Sequence, residues 1–213
     1  NIMHQAAKEI LAYSSRNIGV HIHIKKNIPI ASGLGGGSSN AAAVLKAVNI
    51  LLKLKLSKEK LMKIGAKLGA DVPFFIMEGP ALAEGIGDEL KKIKGLPKMF
   101  MILINPNVQV STEWVYKNYP PEALVPQRPG TNKIPSTCKN KKDIVKIMSN
   151  DLEKVTLKRY PVVAEIKEKL MGSGAMGTLM SGSGPTVFGI FADKVKREAA
   201  FEKLLAQFGE KWK

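Results

Sequence analysis

Between Lys25 and Asn49 the chain reads KKNIPIASGLGGGSSNAAAVLKAVN, and no other stretch restricts its fold as much. Four glycines, Gly33, Gly35, Gly36 and Gly37, precede Ser38-Ser39-Asn40 and a run with helical periodicity. Glycine lets backbone N–H groups converge where a Cβ would clash. A helix that starts directly afterwards points its first unpaired N–H groups, and the positive end of its dipole, at the same place. Together these make an anion site, most often one for phosphate. The plainer alternative is a tight turn closed by small residues, but four glycines and two serines exceed what a turn requires.

Two common phosphate loops do not fit. A Walker loop needs G-x-x-x-x-G-K-[ST], and no lysine lies between Gly33 and Asn40. A dinucleotide fingerprint needs G-x-G-x-x-G/A and an acid about twenty residues later. Here Gly33-x-Gly35 is followed by Ser38, and the later region carries Lys53, Lys55 and Lys58 instead.

The pattern that remains, P-x-x-x-G-L-G-G-G-S-S-N-A-A from Pro29 to Ala42, resembles the nucleotide loop of the GHMP kinases. GADVPFF (Gly69–Phe75) and MSGSGPTVFGIF (Met180–Phe191) agree with that family in order and spacing. The GLGGGSSNAA form is most similar to the branch whose acceptor is cytidine diphosphate-linked methylerythritol, in non-mevalonate isoprenoid synthesis. Homoserine- and mevalonate-type kinases are the alternatives within the family. The resemblance implies an α+β chain of two parts. Residues 1–80 would be an incomplete N-terminal domain like the second domain of ribosomal protein S5, and 81–213 a ferredoxin-like C-terminal domain. It also implies ATP and Mg²⁺, a small-molecule substrate and a cytoplasmic location, in a bacterial cytosol or a plastid stroma.

Composition supplies the main competitor. The formal net charge is +15 with a pI near 9.8, which raises nucleic-acid binding. However, the lysines scatter along helical faces, arginine is scarce, and aromatics do not interleave with basic runs, so anionic small substrates are the better account. Cys138 alone excludes a disulfide framework. No apolar run approaches the length of a membrane span, and neither nucleic acid nor membrane is expected as a partner.

Along the chain, Ile2, Ala6, Ala7, Ile10 and Leu11 mark a helix, and Val20–Ile24 alternates at period two as a strand would, with His21 and His23 on a solvent-facing side. A helix is expected from Ser39 to Lys53, and another from a Ser57 cap to Leu68. A strand and turn follow Pro80, and Met99–Ile104 reads as a buried strand. Ser111-Thr112 caps a short helix, and Tyr119 to Pro135 reads as a proline-rich loop. Helices over Lys141–Met148, Asp151–Arg159 and Val162–Leu170 precede two strands flanking Ser181–Pro185, then a last helix, Val195–Phe208.

Phosphoryl transfer to an alcohol needs a phosphate cradle, usually Mg²⁺, and a group that orients or deprotonates the hydroxyl. The resemblance assigns nucleotide contacts to Asn1, Lys26, Pro29, Gly33, Leu34, Gly35, Gly36, Gly37, Ser38 and Ser39. Ser39 would also contribute to the metal, or else only cap its helix. Asp71 maps to the catalytic carboxylate, where the residues alone also allow a turn former or cap. Gly182, Ser183 and Gly184 map to an acceptor-binding motif that also serves as a hairpin turn. Phe188 either stacks on the cytosine or packs in the core. In the family, strands upstream of residue 1 supply a lysine and an asparagine that assist the aspartate, and the cytosine pocket. The chain is therefore expected to be a fragment, poorly soluble or inactive alone.

Overall fold

The computed structural model describes residues 1–85, 87, 89–120 and 140–209. Most of the expected proline-rich loop, and Cys138, lie outside the described residues. By packing, the chain forms two compact units, residues 1–27 with 35–94 and residues 28–34 with 95–213.

In the first unit, α1 (Ile2–Leu11) buries Ala6, Ala7 and Ile10 along one stripe. Its start is capped by the Asn1 side chain, which accepts from the Met3 amide at 3.0 Å. Helix α2 (Gly36–Leu51) turns Ala41, Ala42, Leu45 and Val48 inward, and the alanines let α1 lie close against it. It starts three residues before the expected Ser39, so Gly36 and Gly37 belong to its first turn. The Ser57 hydroxyl caps α3 (Lys58–Leu68), accepting from the Lys60 amide at 3.2 Å. After Gly69 the chain turns into α4 (Val72–Met77), whose Val72 and Ile76 join Ile10, Leu45, Leu61 and Ile64 in one core. Leu45 is fully buried, and truncating such a leucine to alanine costs about 2–5 kcal/mol. A hairpin of β1 (Ala81–Glu84) and β2 (Glu89–Lys92) follows.

One expected element is absent. Val20–Ile24 is not a strand: no ladder pairs with it among the described residues, and Ile22 and Ile24 are exposed. Alternation decides which face a strand would bury, but only hydrogen bonds to a neighbour make it a strand.

In the second unit, β3 (Phe100–Ile104), β4 (Gly177–Met180) and β5 (Val187–Phe191) form an antiparallel sheet in the order β3-β5-β4. Ile104 and Met180 both stand opposite Val187. With Ile102 and Phe191 they meet Val163, Ile166 and Leu170 of α8 (Pro161–Gly172) and Leu204 of α9 (Lys194–Phe208). This β-α-β-β-α order is that of a ferredoxin-like sheet; a fourth strand is not among the described residues. Between β3 and α8 lie α5 (Thr112–Lys117), α6 (Lys141–Ile147) and α7 (Glu153–Arg159). Val110, Val115 and Val155 make a smaller cluster there, flanked by the edge-on pair Trp114 and Tyr160.

Candidate active site

In the first unit the site is built on the entry to α2. Gly35, its N-cap, is left-handed (φ 63°, ψ 22°) and makes no side-chain cap bond. A Cβ there would stand 2.8 Å from two ring carbons of Phe75, so glycine is needed both for the φ and for the contact. The Ser39 amide donates to the Gly35 carbonyl at 2.9 Å, closing the first turn. The amides of Gly36, Gly37 and Ser38 have no acceptor among the described residues, and no acidic side chain occupies the turn. Three unpaired donors at the positive end of a 16-residue helix constitute an anion cradle. The Ser39 hydroxyl donates to the Gly36 carbonyl at 3.2 Å, inside the helix. It is therefore not the cap, and its lone pairs stay available to a cation.

Phe75, which lies on Gly35, belongs to α4, and Asp71 occupies the position just before that helix. Its carbonyl accepts from the Phe75 amide at 3.4 Å, while its carboxylate makes no cap bond and is exposed. Among the described residues the carboxylate has neither a hydrogen-bond nor an ion-pair partner. α4 is fixed at its other end by Glu78, which pairs with Lys46 of α2 at 2.5 Å. An unused carboxylate thus sits at the head of a helix packed against the one that carries the free amides. Asn1 is spent on capping α1, though its neighbour Ile2 lies 3.9 Å from where a Cβ on Gly37 would stand. Lys26 is exposed, without regular structure around it.

The second unit holds the remaining expected residues. Pro29 and Leu34 are half-buried. Gly33 is left-handed at φ 74°, and a Cβ on it would come within 2.2 Å of the Ser181 carbonyl oxygen. The Ser181 hydroxyl donates to the Gly33 carbonyl at 2.9 Å, and the Thr186 amide to the Ser32 carbonyl at 3.3 Å. Residues 32–33 thereby dock on the loop between β4 and β5. Ser183 is turned inward, its hydroxyl 2.8 Å from that of Thr112, whereas Gly182 is exposed. Gly184 is buried, its amide donating to the Ser181 carbonyl at 2.9 Å. Phe188 is half-buried opposite Leu103 and Leu179, on the sheet face away from Val187.

Asn150, Glu153 and Thr156, none of them among the expected site residues, also hold that loop. Their three-residue spacing makes a polar stripe on a segment otherwise read for its apolar residues, and that stripe was the available signal.

Comparisons with known proteins agree on one family. The GHMP kinases N terminal domain matches residues 1–79, and the GHMP kinases C terminal domain matches residues 137–211. A 4-diphosphocytidyl-2-C-methyl-D-erythritol kinase of Geobacter metallireducens is 50% identical over 204 residues, covering 96% of this chain and 71% of the relative. A solved structure of 4-(cytidine 5'-diphospho)-2C-methyl-D-erythritol kinase matches with a TM-score of 0.79 at 32% identity, over 97% of this chain and 74% of the other. Homoserine kinase from Cytophaga hutchinsonii reaches a TM-score of 0.78 at 19% identity, over 99% and 72%, which shows a shared fold.

Proposed function

This chain belongs to the GHMP kinase family, and from that premise we propose that it transfers the γ-phosphoryl group of ATP to the 2-hydroxyl of 4-diphosphocytidyl-2-C-methyl-D-erythritol. One observation carries the reading: three unpaired amides at the head of α2 pack with a helix that begins at an unused carboxylate.

The amides of Gly36, Gly37 and Ser38 hold the phosphates of ATP, with Gly33, Leu34, Gly35 and Pro29 shaping the approach and Asn1 and Lys26 on the adenine side. Mg²⁺, when bound, would be held by the Ser39 hydroxyl, a hard oxygen donor, and would neutralise charge on the transferring group. Asp71 accepts the proton of the acceptor hydroxyl as the oxygen attacks, a role that needs a carboxylate without a competing partner. Gly182, Ser183 and Gly184 bind the acceptor, and Phe188 stacks on its cytosine. Residues 1–80 carry the donor site and 81–213 the C-terminal domain of a cytoplasmic enzyme.

The test is ADP release from ATP with a panel of acceptors: the cytidine diphosphate substrate, homoserine and mevalonate. Turnover confined to the first supports the reading. Turnover of homoserine or mevalonate in place of the first refutes it.

A further inference from the structure

We propose that Asn150 and Thr156 are positioning residues that hold the Ser181–Gly184 loop so that its two unpaired amides, Gly182 and Ser183, bind a diphosphate oxygen of the acceptor. This rests on the function proposed above. The Asn150 amide is fully used: its nitrogen donates to the Met180 and Gly182 carbonyls, each at 2.8 Å, and its oxygen accepts from the Leu152 amide at 3.0 Å. Thr156, fully buried, donates to the Ser183 carbonyl at 3.1 Å. Glu153 accepts from the Met180 amide at 2.8 Å with one oxygen and pairs with Lys167 through the other. The Ser181 carbonyl is taken by the Gly184 amide.

Every carbonyl from Met180 to Ser183 is therefore tied. A trans peptide is planar, with its N–H opposed to its C=O. Fastening the Gly182 carbonyl to Asn150 aims the Ser183 N–H away from that residue. Fastening the Ser181 carbonyl likewise sets the Gly182 N–H. Neither amide has an acceptor among the described residues, although Ser183 is only 6% exposed. A backbone donor left unpaired at such depth is rare in a finished structure and calls for a partner. The side chains add nothing to compete for it, since the Ser183 hydroxyl is engaged by Thr112.

Steady-state kinetics on Thr156→Val, Thr156→Ser and Asn150→Asp test this, with thermal melts run in parallel. Valine keeps the shape of threonine but loses the donor, serine does the reverse, and aspartate keeps the bond to Leu152 while facing two carbonyls with a charge. Valine and aspartate are expected to raise the acceptor KM about tenfold, the scale of one lost hydrogen bond, with the ATP KM unchanged and serine close to wild type. A packing role predicts the opposite order, valine above serine, and that order overturns the proposal. An independent readout is amide hydrogen exchange, where Asn150→Asp should speed exchange at Gly184 and Thr186 and leave α8 untouched. Unchanged exchange there refutes the clamp whatever the substrate. Faster exchange with a wild-type protein that phosphorylates homoserine or mevalonate in place of the cytidine diphosphate acceptor refutes the functional reading and leaves the clamp standing.

Discussion

Ser181 donates its hydroxyl hydrogen to the carbonyl of Gly33 at 2.9 Å, across 148 residues of sequence. The contact joins two glycine motifs that the chain presents far apart, and it leaves no space for a side chain at Gly33. A Cβ there would lie 2.2 Å from the Ser181 carbonyl and 2.8 Å from that of Gly184. Gly33→Ala should therefore destabilise the protein by roughly 2 kcal/mol or more, from a left-handed φ and a backbone clash together. Gly37→Ala, where the nearest atom is 3.9 Å away, is the matched control and should leave the melting temperature within a degree or two.

Gly36→Val separates binding from folding. The position is helical, where valine is no poorer a helix former than glycine, so the backbone tolerates it. Its branched side chain crowds the free amides, and each charge-assisted bond lost to phosphate is worth roughly 1.5–3 kcal/mol. Calorimetry should show ATP affinity falling at least tenfold in a folded protein.

Asp71→Asn should leave ATP affinity unchanged, because the proposed role sets the carboxylate on the acceptor and not on the cradle. Turnover should fall by roughly 10²–10⁴, the range lost with a general base. A variant with near-normal kcat assigns the base elsewhere.

The Lys46 ammonium, hydrogen-bonded to Glu78, holds the Glu78 carboxyl below its ordinary range. A carboxyl depressed in the folded state contributes stability that is fully present above its unfolded pKa and lost as pH falls through the folded one. Both partners are solvent-exposed, so the contribution is small and screened by salt. Denaturant melts should show wild type ahead of Glu78→Gln at about pH 7, with the gap closing by about pH 3.

The glycine-rich turn into α2 was legible because glycine content and the serine pair leave few conformations, and the helices because their apolar stripes are local. Val20–Ile24 misled for the opposite reason: alternation is local, whereas a strand is a property of a pair. The hairpin partner Glu89–Lys92 escaped notice because ELKK carries one apolar residue and pairs through its backbone alone. The clamp on Ser181–Gly184 left only a polar stripe at three-residue spacing as its sign, for a related cause. Asn150 and Thr156 act on carbonyls about 30 residues away, and nothing in an asparagine or a threonine announces that partner.

The most direct test of the proposed reaction is ³¹P NMR of the product formed from ATP, Mg²⁺ and 4-diphosphocytidyl-2-C-methyl-D-erythritol. The account predicts one new phosphomonoester on the 2-hydroxyl oxygen, with ADP formed in equal amount and the diphosphate signals retained. ADP without a phosphomonoester, or a phosphoryl group on another hydroxyl, contradicts it.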